Sequence, residues 1–125
     1  MDEQIRREVK IAAVPQDVWD ALTDPAELAE WFGAEAQIDL RPGGAVRFVW
    51  PDRTERRGLI TELEAPRRLV WRWRELRSTD EGLASSDATV VEFAVEADGS
   101  GSRVTVTESP GVLRADPPVL AESRR

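Results

Sequence analysis

Three charged residues occupy positions where an alternating pattern normally places apolar side chains. Arg7 lies on the apolar phase of residues 5–11, and Glu75 and Glu108 lie on the apolar phase of two later runs. An unpaired buried charge is costly, so each residue must reach solvent at a sheet end, face a wet cavity or pair with another charge. Arg7 and Glu108 could pair across two strands and give a cavity a fixed polar anchor. Two carboxylates near an apolar pocket could also do acid–base chemistry.

Aromatic side chains are placed where they could form a site for an apolar ligand. Five of them alternate with polar residues and therefore share one face of the predicted strands: Phe48, Trp50, Trp71, Trp73 and Phe93. Trp31 and Phe32 end a helical pattern and either plug the core or line the mouth of a cavity. Rings offer large dispersion contact at a low cost in conformational entropy, as an apolar ligand site requires. The same alternation is typical of a packed core, and both interpretations stay open.

Residue types that are missing from the chain exclude several kinds of catalysis. The sequence contains no Cys, no His and no Tyr. It therefore cannot build a thiolate nucleophile, a Ser-His-Asp triad, a zinc site with Cys or His ligands, or a phenolic acid. Catalysis would depend on carboxylates, arginines, hydroxyls, Lys10 or backbone groups. We therefore expect no metal and no cofactor, and a binding protein is better supported than an enzyme.

The charge balance argues against a nucleic-acid partner. Seventeen basic and 24 acidic residues give a net charge of −7, opposite to that of a typical nucleic-acid binder. Residues 52–77 are an exception, with eight arginines and five acids. We favour the interpretation that these arginines lie on a solvated sheet face and pair with nearby glutamates, over an interaction patch.

Length and hydropathy predict one domain outside the membrane. The 125 residues suffice for a single core. No apolar run approaches the ~20 residues that a transmembrane helix needs, and the chain does not open on a signal-peptide pattern. We therefore expect a cytoplasmic protein with no membrane partner.

Two short helices are predicted after the first strand. Residues 5–12 alternate between apolar and charged side chains, which indicates a half-buried strand. Pro15 begins the first helix, at a position where its missing N–H costs nothing. Asp24 is a suitable N-cap for the second helix, and Gly33 ends it.

The remainder predicts an antiparallel sheet with one covered and one wet face. Alternation and turn signals place six strands at residues 36–40, 46–50, 58–63, 69–74, 91–96 and 103–107. Trp71 and Phe93 are expected on the covered face, and Arg72 and Glu92 on the opposite one. The small, polar and acidic residues 78–87 predict a loop.

Four strings in this order resemble one known group of proteins: VWDALTDP at 18–25, LRPGG at 40–44, EAPRRLVW at 64–71 and SRVTVTE at 102–108. Together they are similar to the SRPBCC (START/birch-pollen-allergen-like) superfamily, in the branch of bacterial proteins similar to the activator of heat-shock protein 90 ATPase. The match covers about residues 5–109. The resemblance implies an α+β helix-grip fold, in which a curved antiparallel sheet grips a long C-terminal helix around a cavity and the first strand returns beside the last.

The resemblance also implies a range of functions. Members bind lipids, hormones, polyketides or other apolar ligands, and a minority are cyclases or hydrolases. The interpretation we favour is a small apolar or amphipathic ligand-binding module, linked with the stress response. A protein-interaction (co-chaperone-like) domain is second, and a cyclase- or hydrolase-type enzyme that uses Glu or Arg is third.

The chain departs from the family pattern at its C-terminal end. After a domain at residues 1–109, residues 110–125 predict an irregular tail, because Pro117 and Pro118 block a continuous helix. The long helix is therefore expected to be missing or truncated. Apolar patches much beyond ~600 Å² are rare on monomers. Either the tail or a second copy must then cover Trp71, Trp73 and Phe93, and we expect a homodimer through this face.

Overall fold

The computed structural model describes residues 4–79 and 82–110 and contains two helices among eight strands. The helices are α1 (Pro15–Leu22) and α2 (Pro25–Phe32). The strands are β1 (Ile5–Ile11), β2 (Glu35–Ile38), β3 (Ala45–Val49), β4 (Glu55–Glu64), β5 (Arg68–Thr79), β6 (Gly82–Ser85), β7 (Thr89–Asp98) and β8 (Gly101–Pro110).

All strands belong to one antiparallel sheet that bends around the two helices. Its order is β1-β8-β7-β5-β4-β3-β2, and β6 pairs with β5 beside this path. The first strand pairs with the last, as the resemblance implied. The register of β4 against β5 shifts between Ile60 and Glu62, an irregularity of the kind that bends a strand and increases its twist.

The alternating pattern assigned the two faces of the sheet correctly. Inner-face residues of five strands are nearly inaccessible to solvent: Val46, Phe48, Ile60, Trp71, Trp73, Val91, Phe93 and Val104. Arg72, next to Trp71 in sequence, lies on the exposed outer face. One face is therefore covered and the other is wet.

The second helix lies against the inner face and ends there. The Asp24 carboxylate accepts a hydrogen bond from the Ala26 N–H at 2.8 Å, and Gly33 ends the helix with φ at +66°. The indole N–H of Trp50 donates to the carbonyl oxygen of Phe32 at 2.9 Å. This bond fixes the end of α2 to the residue that follows β3, so Trp31 and Phe32 are held over the sheet.

Two expectations about the strands are wrong. The first strand is exposed rather than half-buried: Ile5 and Val9 remain 61% and 38% exposed. It is an edge strand, and the two helices pack on β2, β7 and β8 instead. The predicted loop at 78–87 is also partly strand, because β5 runs to Thr79 and Gly82–Ser85 pairs back against it.

The aromatic face that a homodimer was expected to cover is already covered within the chain. Trp71, Trp73 and Phe93 are already covered, since the ring of Phe32 lies 6.3 Å from Trp73 and that of Trp31 lies 6.3 Å from Phe93. Among the described residues, the large apolar side chains that stay exposed are Ile5 and Val9 on β1 and, outside it, Val14, Trp31, Leu40 and Leu59. Residues 111–125, for which an irregular tail was predicted, lie outside the described residues. The homodimer stays a prediction.

Candidate functional site

A pocket of about 380 Å³ lies on the inner face of the sheet, between β1, β8 and the end of α2. It is lined by Ile5, Arg7, Val9, Trp31, Phe32, Val106 and Glu108. Four of the residues singled out in the sequence are among them: Arg7, Trp31, Phe32 and Glu108. Apolar side chains thus form most of the wall of the pocket. The wall also contains two residues of opposite charge, Arg7 and Glu108.

The pairing of β1 with β8 brings the two charges to this pocket. Arg7 lies opposite Val106, and Glu108 lies opposite Ile5. Residues that face each other across an antiparallel pair project to the same side of the sheet, so all four side chains are on the inner face. Arg7 and Glu108 are diagonal neighbours in this register rather than a direct pair.

Glu108 is held by donors from three other strands or strand ends. Its Oε2 accepts hydrogen bonds from Arg56 Nη1 at 3.1 Å, Trp73 Nε1 at 3.1 Å and Thr89 Oγ1 at 2.6 Å. The side chain is 27% exposed. Three donors on one oxygen compensate the charge of a partly buried carboxylate and fix its orientation.

Arg56 connects the two glutamates of the inner face. Besides Glu108, its guanidinium lies 3.5 Å from a carboxylate oxygen of Glu75. The guanidinium also lies over two indole rings, 5.7 Å from the centre of Trp50 and 5.1 Å from that of Trp73, which is cation–π geometry. Glu75 also pairs with Arg77. The cluster therefore joins charged groups with aromatic rings beside the pocket.

Neither interpretation of the inner-face charges describes them completely. Glu75 and Glu108 do not simply reach solvent at the sheet ends, because both pair with Arg56. The alternative pair of Arg7 with Glu108 is not formed either. Arg7 is exposed and makes no ion pair with the described residues. An acid–base role for the two glutamates stays a hypothesis.

The aromatic residues singled out in the sequence form one continuous cluster. Trp71 lies 5.1 Å from Phe93, 5.3 Å from Trp73 and 5.8 Å from Phe48, measured between ring centres. These four rings are buried, and Trp50 is half-buried. They lie beneath the pocket as packed core, while Trp31 and Phe32 lie between them and the open side.

A second cavity, of about 250 Å³, lies on the other side of Trp31. It is lined mainly by apolar residues of α1, α2 and the end of β1, with Asp17 and Glu27 among its lining residues. Trp31 lines both cavities and is 47% exposed. Its indole therefore separates two apolar spaces on the helix side of the sheet.

Only some of the arginines of residues 52–77 lie on the outer face and pair with glutamates, among them Arg57 with Glu55 and Arg68 with Glu62 and Glu92, whereas Arg56 lies on the inner face. Glu55 accepts a hydrogen bond from Arg47 at 2.8 Å and another from Arg57. Those two hydrogen bonds, from Arg47 first and Arg57 second, hold the pKa of Glu55 below its usual value. The ionised form of Glu55 is therefore stabilised by folding.

We expect Glu55→Gln to flatten the dependence of stability on acid pH. A carboxyl whose pKa is lower in the folded state contributes stability above its unfolded pKa of ~4.3, and that contribution is lost as the pH falls through the folded pKa. The variant should be less stable than the parent at pH 7 and converge with it at low pH in urea titrations. The control Glu30→Gln, on the exposed side of α2, should keep the parent's profile; a parallel shift of the Glu55→Gln curve at every pH would contradict the argument.

The fold and two of the comparisons with solved structures define the class of this protein. DynU16, from the dynemicin biosynthetic locus, has 23% identity and a TM-score of 0.73, over 89% of this chain and 38% of that one. CalU16 from Micromonospora echinospora has 25% identity and a TM-score of 0.64, over 90% and 64%. The chain thus spans less than two thirds of either. Two helices against a strongly curved antiparallel sheet make this a helix-grip fold.

The family follows from the sequence. The family model described as "Activator of Hsp90 ATPase homolog 1-like protein" matches residues 12–119, and the chain belongs to this family. An HSP90 activator from Plasmodium falciparum is also similar in structure, with 22% identity and a TM-score of 0.63 over 88% of this chain and 73% of that one. No curated protein matches the chain. The resemblance drawn from the four strings is confirmed.

In the described part of the chain, neither helix is long and apolar enough to cross a bilayer.

Two residues that hold Glu108, Arg56 and Thr89, were not predicted from the sequence as parts of the site. Arg56 shares the phase of Gly58 and Ile60, and a strand extended from Gly58 toward the N-terminus would have placed it on the inner face.

Proposed function

We propose that this protein is a binding module for a small apolar or amphipathic ligand. The observation that carries the proposal is the pocket on the inner face, whose volume of about 380 Å³ falls in the range of ~300–1,000 Å³ typical of small-molecule sites. Its composition supports the same conclusion, since ligand sites combine apolar walls with a few fixed polar groups. Here Ile5, Val9 and Val106 supply the wall, and Glu108 is a polar group whose orientation three donors fix.

Three apolar side chains of the pocket are exposed and can form contacts with a ligand. Ile5, Val9 and Trp31 remain partly or largely in solvent although they face a concave surface. Removing apolar area from water stabilises a complex by ~25 cal/mol per Å². An aliphatic or aromatic ligand that covers these three residues therefore gains contact area without displacing the packed rings beneath.

A protein-interaction role is the second candidate, favoured by an observation on the outer face. Arg47, Arg57 and Arg74 lie directly opposite one another on β3, β4 and β5. Like charges in such a row repel one another and are destabilising. Glu55 pairs with Arg47 and Arg57 but not with Arg74. A partner with an acidic surface would compensate the charge of Arg74.

Filling the pocket should weaken ligand binding. We expect Val9→Trp to weaken binding of a responsive member of a panel of fatty acids, sterols and aromatic polyketides by at least about tenfold, because losing ~60 Å² of apolar contact costs ~1.5 kcal/mol. The matched control is Leu59→Trp, another exposed strand position, which lies on the outer face. It should bind as the parent does.

Native mass spectrometry of freshly purified protein and Trp emission during titration are the measurements. A co-purified small molecule that is present in the parent and in Leu59→Trp, and absent from Val9→Trp, supports the proposal. If the panel leaves both Trp emission and melting temperature of the parent unchanged, the ligand-binding role is contradicted. Equal losses in the two tryptophan variants would also contradict it, because the effect would then not depend on the pocket.

A further inference from the structure

We propose that the pocket selects an amphiphile with an anionic head group, and that Arg7 binds this head. The inference rests on the proposed function and names the chemical class of its ligand. It follows from an asymmetry between the two charges of the pocket: three donors hold Oε2 of Glu108, whereas Arg7 makes no ion pair with the described residues.

Arg7 is available to a ligand. Its side chain is exposed, lines the pocket and makes no ion pair with any residue in the ranges 4–79 and 82–110. Its sequence neighbour Arg6 projects to the opposite face and pairs with Glu8 at 3.7 Å. A guanidinium donates two parallel hydrogen bonds to a carboxylate or phosphate, a geometry that a neutral head group cannot match.

The negative charge of Glu108 does not cancel the preference of the pocket for an anionic head group. Its charge is opposed by Arg56 at 3.1 Å, and Glu75 is shared between Arg56 and Arg77. With Arg7 included, the charged groups of the pocket and its adjoining cluster are three arginines and two glutamates, a net charge of +1. The electrostatic environment therefore favours an anion next to Arg7 rather than a cation next to Glu108.

The neighbours of Arg7 supply the apolar half of the site. On the same face of β1, Ile5 and Val9 flank Arg7 about 7 Å away on either side, at the ~3.3–3.4 Å rise per residue of a strand. Val106 lies directly opposite Arg7, and Trp31 borders the pocket from the helix. A hydrocarbon chain can thus lie on apolar residues while its head remains at the exposed guanidinium.

Three probes with the same chain and different heads test the inference: decanoate, decanol and decylammonium, each titrated by calorimetry and by Trp emission. We expect the full chain to bind decanoate about tenfold more tightly than decanol, the effect of one charge-assisted pair, and decylammonium most weakly. Arg7→Gln should remove the difference between decanoate and decanol while leaving the affinity for decanol within about threefold. Arg6→Gln, which removes the same charge from the opposite face, should keep the difference.

The outcomes separate this inference from the proposed function. If none of the probes binds, the assignment of an amphiphile to the pocket is overturned, whereas the proposed function fails only if the sterols and aromatic polyketides of the wider panel do not bind either. If decanol binds as tightly as decanoate, or if decylammonium binds most tightly, the pocket binds amphiphiles but the assignment of Arg7 is overturned. A loss of selectivity in Arg6→Gln equal to that in Arg7→Gln would also overturn it, because the preference would then reflect the general charge of β1.

Discussion

Replacing Trp71 by alanine is expected to lower the free energy of unfolding by about 3–5 kcal/mol. The side chain is fully buried and contacts Phe48, Trp73 and Phe93 at the centre of the aromatic cluster. Truncation removes the largest ring contacts of the core and leaves a cavity that strands on both sides can only partly close. Urea titration measures the change from the midpoint and slope of the transition.

Two further variants show whether packing causes this loss. Trp71→Phe keeps a ring in place and should cost under about 2 kcal/mol, because it also removes a buried indole N–H that has no hydrogen-bond partner among the described residues. Trp31→Ala, at a half-exposed ring, should cost about 1 kcal/mol or less. If Trp71→Ala loses less than ~1 kcal/mol, Trp71 is the wall of an open cavity and not part of a packed core.

The faces of the sheet were predictable because alternation is a local property. Successive side chains of a strand point to opposite faces of the sheet. The sequence around Trp71 and Arg72 therefore determines which of the two is covered. The ends of α2 were predictable for a similar reason: Asp24 and Gly33 act on their own helix. The short strand β6 was missed, since Gly82–Ser85 carries no alternation and forms only by pairing with the extended β5.

The charged network could be predicted only in part. Alternation placed Arg7, Glu75 and Glu108 on the inner face, where the structure has them. Their partners depend on which strands are neighbours and in what register. Arg56 and Glu108 are 52 positions apart in the sequence, and no local pattern predicts that they contact each other. The exposure of β1 was unpredictable for the same reason, because it depends on which strands the helices cover.

The second large effect is expected at Gly58, where β4 passes between β3 and β5. Gly58 lies opposite Val46 on one side and Trp73 on the other. A Cβ at this position would lie 2.6 Å from both Cα and Cβ of Trp73, and closer still to the carbonyl oxygen of Arg72. Backbone atoms of a central strand cannot move aside as a flexible side chain does, so we expect Gly58→Ala to cost about 3 kcal/mol of unfolding free energy, the upper part of the range for overpacking.

The adjacent residue provides a control for this effect and links it to the pocket. Leu59→Ala, one position along β4 on the exposed outer face, should change stability by under about 1 kcal/mol in the same urea titration. A loss below ~1 kcal/mol for Gly58→Ala would mean that β4 and β5 can separate without cost, contrary to the close approach described. Because Trp73 donates to Glu108, displacing it should also remove one of the three donors of that carboxylate and leave only Arg56 and Thr89. In the folded fraction of Gly58→Ala, the less compensated charge of Glu108 would then oppose an anionic head group at Arg7, and the preference for decanoate over decanol should fall.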